Sequence, residues 1–526
     1  MNRKMHFAIG WVFIFLPVIA FGQLPGYPAP RYPKIPDITS VEQLMPHARY
    51  LVSKPTDKSA NLRPGYGIRG GERVLMTMYD TTDPMVVEAL RRALIEKNCR
   101  VDVLVLPIPQ AIKEGPVDGA NEMRYAQAAH QARTSLFVGQ GLTVMFAGQS
   151  GADTEALRAF VKARKYDRVI GPVDVSGRPK TEYLAVWMNL FTREILGSAA
   201  SDFPEEVADL LDRKGWEIIR GAKSVRFTDP EGTDIRWTWF PEYWQVVEGT
   251  HPHVKSVGGG PINFPGGYIY GPGTSEDPLI PGHLMGVALG IVLPESDAAG
   301  VVVATSNHVG PFPRIEILFQ KHEVTQINGG GEYGKLLRQY LETYKNAKYP
   351  LYPRPGAGFL VECSIATNPK AYRPYNVMEA ATLKWLWIEE RRRSGIVHWG
   401  IGSVLQENTD WGAQNNVPGD HFHLHQYFST YEATLQDGRK TLIINKGHLT
   451  ALDDPEVRRV AAKYGDPDEL LREDWIPAIP GINTPGDYRK DYADDPARWV
   501  TQEHRKAFAE AIARFNQRGG YGDVYK

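Results

Sequence analysis

The chain has 526 residues, of which 42% are hydrophobic, 23% charged and 11% aromatic. That is the composition of a soluble globular protein of roughly two to four domains, and it excludes a collagenous, low-complexity or wholly disordered chain. Lys and Arg number 60 against 61 Asp and Glu, a formal charge of -1, so there is no basic excess to neutralise phosphates and no nucleic-acid partner is expected.

Arg3 and Lys4 precede an apolar run from Ala8 to Phe21 that ends at Gly22-Gln23. This is the layout of a secretory signal peptide cleaved after Gly22, and the run is short of the ~20 residues that span a bilayer. The expectation is a secreted or periplasmic protein with no membrane contact once residues 1–22 are removed. Residues 23–59 form a Pro-rich arm, extended along the surface. Residues 74–79 read as a buried strand, Thr82-Asp83-Pro84 as a helix start with proline in the first turn, and 101–106 as the next strand. A β-α-β unit of this kind predicts a parallel sheet. The pattern recurs in a strand at 142–147, a helix at 153–165, a strand at 168–171 and a helical stretch at 181–196. Residues 60–219 are therefore predicted to be a doubly wound α/β domain.

The second half has a different texture. Strands are expected at 223–227 and 234–240 around a turn at Asp229-Pro-Glu-Gly232, and again at 286–293, 300–306, 314–319 and 323–328. Helices are expected at 334–347 and 376–393. Residues 220–448 thus read as an α+β domain with a mainly antiparallel sheet. The tail, 449–526, carries helices near 454–463 and 501–517 and enough Trp, Tyr and Pro to pack on the core.

The sharpest local signal is Asp420-His421-Phe422-His423-Leu424-His425-Gln426. Alternation of apolar and polar residues is strand texture, and residues two apart share a face. His421, His423 and His425 then point one way, as a ready chelate for a divalent ion. Two other segments bring chemistry into apolar runs. His398 lies in Ile396-Val-His-Trp-Gly-Ile-Gly-Ser403, and Glu362 lies in Gly358-Phe-Leu-Val-Glu-Cys-Ser-Ile-Ala366. A carboxylate in such a strand needs a cation, a hydrogen-bond donor or a metal.

Other features receive structural readings. The glycine runs 258–260 and 329–331 lack the Lys-Ser/Thr of a phosphate loop, and no G-x-S-x-G elbow is present. Two cysteines, Cys99 and Cys363, make neither a disulfide scaffold nor a cysteine zinc site. Cys363 points away from Glu362 on a strand and reads as core. Arg391-Arg-Arg393 reads as a basic run at a helix end. His251 and His253 read as a loop pair. Trp385, Trp387, Trp399 and Trp411 lie near the ligand segments, as core or as the lining of an aromatic pocket.

Taken in order, these segments resemble the aminopeptidase T family of two-metal peptidases. Gly232-Thr233-Asp234 is similar to its GTD strand, Glu362 to the glutamate of its G-E-x-G-I-G-T-N-P segment, and His398 to the histidine of V-H-I-A-L-G. Its H-x-D pair falls on His423 and His425, with a register on His421 and His423 also open. The resemblance implies metal ligation by Glu362, His398, His423 and His425; the first reading is hydrolysis of a peptide or related amide bond by metal-bound water, with Glu362 in the catalytic site and His421 or a neighbouring carboxylate handling the proton. It also implies a small-molecule or peptide substrate and a homodimer. Three positions depart from the family. Tyr268 stands where its N-x-P-x-G-E segment has a ligand glutamate, His425 stands for the aspartate, and Leu405 stands near an expected tyrosine. Fewer carboxylates favour one divalent ion (zinc, manganese or iron) over two. Dihydroxypyridine ring-cleaving dioxygenases, which hold one ferrous ion, resemble the same family and form the second reading. A non-catalytic periplasmic binding protein is the third.

Overall fold

The computed structural model describes residues 23–53, 68–79, 83–106, 118–120, 163–171, 184–187, 192–247, 256–257, 260–261, 283–284, 296–350, 352–373, 390–402, 411–412, 414–415, 417 and 421–503. The expected signal peptide, the segments at 142–147 and 286–293, most of the helix at 376–393, and His251, His253, Tyr268, Trp385, Trp387 and Leu405 lie outside them.

The first half carries a parallel sheet of β1 (Arg73–Tyr79), β2 (Arg100–Leu106), β3 (Arg168–Gly171) and β4 (Leu184–Trp187) in the order β2-β1-β3-β4. This is the order of a doubly wound sheet of the flavodoxin kind. The helix Pro84–Glu96 joins β1 to β2, and its start follows from three residues. Pro84 supplies the first-turn φ. Asp83 accepts from the amide of Met85 at 2.9 Å. Arg193 clasps the same carboxylate through Nε at 2.6 Å and Nη2 at 2.9 Å. The expectation of helix through 181–196 is not met: 184–187 is strand β4, and among the described residues of that range only Arg193–Leu196 is helical. Leu-Ala-Val-Trp is a short apolar run, which periodicity alone does not assign to helix or strand.

The second half is built on two antiparallel sheets. The larger runs β12-β11-β10-β6-β5-β16-β17-β18. Its members are β5 (Ala222–Thr228), β6 (Asp234–Thr238), β10 (Ala299–Ser306), β11 (Pro311–Gln320), β12 (Glu323–Gly329), β16 (Thr430–Leu435), β17 (Lys440–Asn445) and β18 (His448–Leu449). The smaller runs β15-β14-β13-β9, from β9 (His283–Leu284), β13 (Leu360–Ala366), β14 (Val397–Gly402) and β15 (His421–Gln426). The pair β7 (Ser256–Val257) and β8 (Gly260–Pro261) stands apart. The glycine run 329–331 serves the backbone: Gly329 and Gly330 have φ of +71° and +79°, and a Cβ at Gly329 would meet the Arg314 carbonyl at 2.4 Å. This turn starts the helix Gly331–Thr343.

Two hydrophobic cores result. One fills the space between the antiparallel sheets, where Trp399 and Trp237 pack on Phe227. Cys363 lies in it. Trp399 and Trp411 belong to this core, Trp411 against Tyr349, rather than to a pocket lining. The second core holds the helices Val41–Ser53 and Pro84–Glu96 together with Trp475, Ile476, Ile479 and Tyr492 of the tail. The Pro-rich arm runs beside that tail, with Arg31 and Ile476 exchanging backbone hydrogen bonds of 3.0 and 2.8 Å. Cys99 sits in the second core and both thiols are free. Among the described residues, no helix is long and apolar enough to cross a membrane.

Candidate metal centre

The smaller sheet has two chemically distinct faces, and alternation assigns them. Val361, Cys363, Ile365, Val397, Trp399, Ile401, Phe422 and Leu424 face the first core. The intervening residues face the other way. Register sets them in rows across β13, β14 and β15: Ser364 opposite His398 opposite His425, and Glu362 opposite Gly400 opposite His423. Gly400 has no side chain, so the second row carries none between the carboxylate and the imidazole.

Glu362, His398, His423 and His425 are all buried on this face. Glu362 Oε1 lies 3.6 Å from His398 Nδ1, and Oε2 lies 4.0 Å from His423 Nε2. Both are too long for hydrogen bonds. They are measured from different carboxylate oxygens, so Glu362 stands beside both imidazoles without bonding either. Ser364 donates to Glu362 Oε1 at 2.8 Å and orients it.

A further imidazole enters from outside the sheet. His308 sits in the four-residue turn between β10 and β11, where Asn307 Oδ1 accepts from the amides of Val309 at 2.9 Å and Gly310 at 3.2 Å. Its ring stacks on that of His423, centroids 3.7 Å apart and planes within 13°. His308, His398 and His423 each offer a nitrogen, all within 4.8 Å of one another and all buried. Burial first, and then the neighbouring imidazoles of His423 and His398, push His308 well below the usual histidine range, so the ring is neutral and able to ligate. The set of one carboxylate and three imidazoles fits a divalent ion of the zinc or iron type.

His425 takes a different place from the one the resemblance implies. Both of its ring nitrogens are engaged: Nδ1 with Glu390 Oε1 at 2.6 Å, and Nε2 with His308 Nδ1 at 2.7 Å. It stands behind His308, joined to it by that one hydrogen bond. Glu390 also accepts from Arg373 Nε and from the Tyr427 hydroxyl at 2.8 Å. Burial works to raise the Glu390 carboxyl, but the Arg373 charge and the His425 hydrogen bond hold it below its ordinary value. Arg391, in the run read as a basic helix end, is fully buried, with Nη1 3.1 Å from His308 Nε2. Arg393, equally buried, donates to the carbonyls of Trp475 at 2.8 Å and Gly447 at 2.8 Å and ties the tail to the sheet. Of His421 only the backbone is described: it pairs with Gly402 at the end of β15.

Gly232-Thr233 acts behind the centre. The Thr233 hydroxyl accepts from the Val303 amide at 2.8 Å and from Gln426 Nε2, and so joins β6, β10 and β15. His308, Glu390 and Arg373 were not found by sequence reasoning. The signal for His308 is a histidine in Asn-His-Val-Gly, a hairpin turn closing an apolar strand.

No family model and no curated protein matches the chain. Among the solved structures similar to it are two enzymes. One is a 2,5-dihydroxypyridine dioxygenase from Pseudomonas putida KT2440, at 16% identity over 80% of this chain and 100% of that one, with a TM-score of 0.45. The other is wild-type AmpT from Thermus thermophilus, at 14% identity over 78% of this chain and 99% of that one, with a TM-score of 0.39. At that distance neither says what this chain does. What stands here is a mixed α/β and α+β fold with a buried histidine triad suited to a metal ion.

Proposed function

We propose that the protein is a single-metal enzyme whose divalent ion is held by Glu362, His398 and His423, with His308 as a fourth donor. The observation that carries this is the pair of 3.6 and 4.0 Å carboxylate–imidazole separations around the side-chain-free Gly400. Ser364 donates to this buried carboxylate, and a shared divalent ion would offset its charge beside the imidazoles. A bound ion supplies Lewis acidity and an acidified water. The chain's own residues hold the ligand geometry, and the second core keeps bulk water away.

The reaction proposed is hydrolysis of a peptide or related amide bond in a small substrate, for which one carboxylate and two histidines are an established zinc ligand set. The same set with open positions is also that of non-haem iron oxygenases, and this favours the second reading, oxygenation of a hydroxylated aromatic. The test is metal content per chain after anaerobic purification. About one zinc or manganese per chain, with release of aminoacyl amides, supports hydrolysis. About one iron, with oxygen uptake on dihydroxylated aromatics, supports oxygenation. His423→Ala is expected to abolish both metal and activity. Retention of either one refutes the centre, and a metal-free native chain moves the binding-protein reading to the front.

A further inference from the structure

Behind the triad lies a run of hydrogen bonds whose direction is set at both ends. At one end Arg391 Nη1 only donates, so His308 Nε2, 3.1 Å away, must accept. At the other, Glu390 is an ionised carboxylate clasped by Arg373, so His425 Nδ1, 2.6 Å away, must donate. Because Nε2 accepts, the ring proton of His308 is on Nδ1, and across the 2.7 Å contact it donates to His425 Nε2. The chain runs Arg391 to His308 to His425 to Glu390, and every member is buried. The Ser306 and Tyr427 hydroxyls extend it, Tyr427 bonding both Ser306 and Glu390.

From this we infer that Glu390 and His425 are positioning residues of the metal centre, acting through His308. Glu390 fixes the tautomer of His425. His425 fixes that of His308, and so places the only lone pair of His308 on Nε2. That lone pair faces a cationic nitrogen of Arg391, and a metal ion would occupy the same electrostatic position. Arg391 and the ion therefore compete for one nitrogen, and ligation by His308 displaces the guanidinium. The inference rests on the single-metal reading above and adds two residues that reach the ion only through a third.

The test uses the full chain loaded with cobalt(II), with zinc affinity measured by competition against a chromophoric chelator. His425→Phe keeps ring volume and removes both hydrogen bonds. It is expected to weaken metal binding by about 10- to 100-fold, the usual effect of losing an outer partner of a ligating histidine, and to alter the cobalt visible spectrum. Glu390→Gln still accepts the His425 Nδ1 proton and is expected to keep the wild-type spectrum with a smaller loss of affinity. Because His425→Phe is a buried change, imidazole nitrogen-15 shifts of the wild-type protein give a second readout. Both rings are expected as the Nδ1-protonated tautomer. A wild-type chain that binds metal, with His425→Phe unchanged in spectrum and affinity or with Nε2-protonated rings, overturns this inference alone. A wild-type chain that binds no metal overturns the single-metal reading and this inference together.

Discussion

Replacing Arg373 by methionine tests how much of the fold depends on the charge that supports the centre. The guanidinium is buried and donates to Glu390 through Nε and to the Tyr427 hydroxyl through Nη2 at 2.8 Å. It also lies 5.5 Å from the Tyr427 ring centroid and 5.0 Å from that of Trp475. Removing it leaves Glu390 as a buried charge without its counter-ion, a cost of about 3–5 kcal/mol. The lost hydrogen bond adds about 1 kcal/mol, and each cation–π contact adds about 0.5–1 kcal/mol. The total of about 5–8 kcal/mol is comparable with the whole stability of a typical domain. The assay is urea denaturation followed by tryptophan fluorescence, run on Arg373→Met, Glu390→Met and the double variant. The double variant is expected to recover several kcal/mol of the single loss, because it removes the stranded carboxylate together with its partner. A loss below about 1 kcal/mol for Arg373→Met, or strictly additive losses, would show that the pair is not the support described.

Two further predictions concern stability. Hydrogen bonds to Glu473, and then to Asp453, push His448 up to about 9 from 6.5 despite partial burial. Such a rise is worth about 3.4 kcal/mol for a shielded group, which becomes about 1–2 kcal/mol for a side chain 35% exposed and screened by solvent. A raised folded-state value means this contribution is complete below pH 6.5 and is lost as pH rises through 9. His448→Gln should therefore lower the urea midpoint at pH 6 and leave it almost unchanged at pH 10; an equal drop at both pH values would count against it. Gly300 has φ +139°, and a Cβ there would stand 2.1 Å from the Asp234 carbonyl, backbone against backbone across β10 and β6. Gly300→Ala is expected to cost about 3 kcal/mol or more. Gly438→Ala, at φ +84° with nothing within 4 Å, should cost only about 1 kcal/mol by the same melt, and similar costs for the two would refute the clash.

What could be read from the sequence was what depends on neighbours along the chain. His423 and His398 were legible because a strand places alternate residues on one face, and Glu362 because a carboxylate stands out in an apolar run. The described strands of the second half at 222–228, 234–238, 299–306, 311–320 and 323–329 agree with expectation for the same reason. His308 joins His425 across 117 positions, and Arg373 reaches Glu390 across 17 and Tyr427 across 54. No periodicity encodes such contacts. The run Arg391-Arg-Arg393 shows the limit most clearly. Local composition favours a basic run at a helix end, whereas the fold buries all three and has Arg393 donate to the carbonyls of Trp475 and Gly447. The contacts of His425 were out of reach of the sequence for the same reason. His425 shares a face with His423, as alternation requires, but which groups it meets there depends on Glu390 and His308, which come from other parts of the chain.

The replacement His425→Asp tests whether position 425 addresses a metal ion or only His308 and Glu390. It places an aspartate two residues after His423. If His425 merely stands in for a ligand aspartate, the added carboxylate should raise metal content toward two ions per chain. The contacts argue the reverse. Position 425 faces Glu390 at 2.6 Å and His308 at 2.7 Å. A carboxylate there meets a second carboxylate in a buried place, where two like charges disfavour ionisation together. It also cannot accept from His308 with the geometry of an imidazole Nε2. The centre itself already carries Arg391 beside His308, a positive charge that opposes a second divalent ion at short range. His425→Asp is therefore expected to lower metal content below one ion per chain and to weaken binding by about 10-fold or more, the scale set by loss of an outer partner. Elemental analysis after equilibration with excess zinc reads this directly. A rise toward two ions would mean that position 425 addresses the metal after all, and that the chain Arg391–His308–His425–Glu390 does not organise the site.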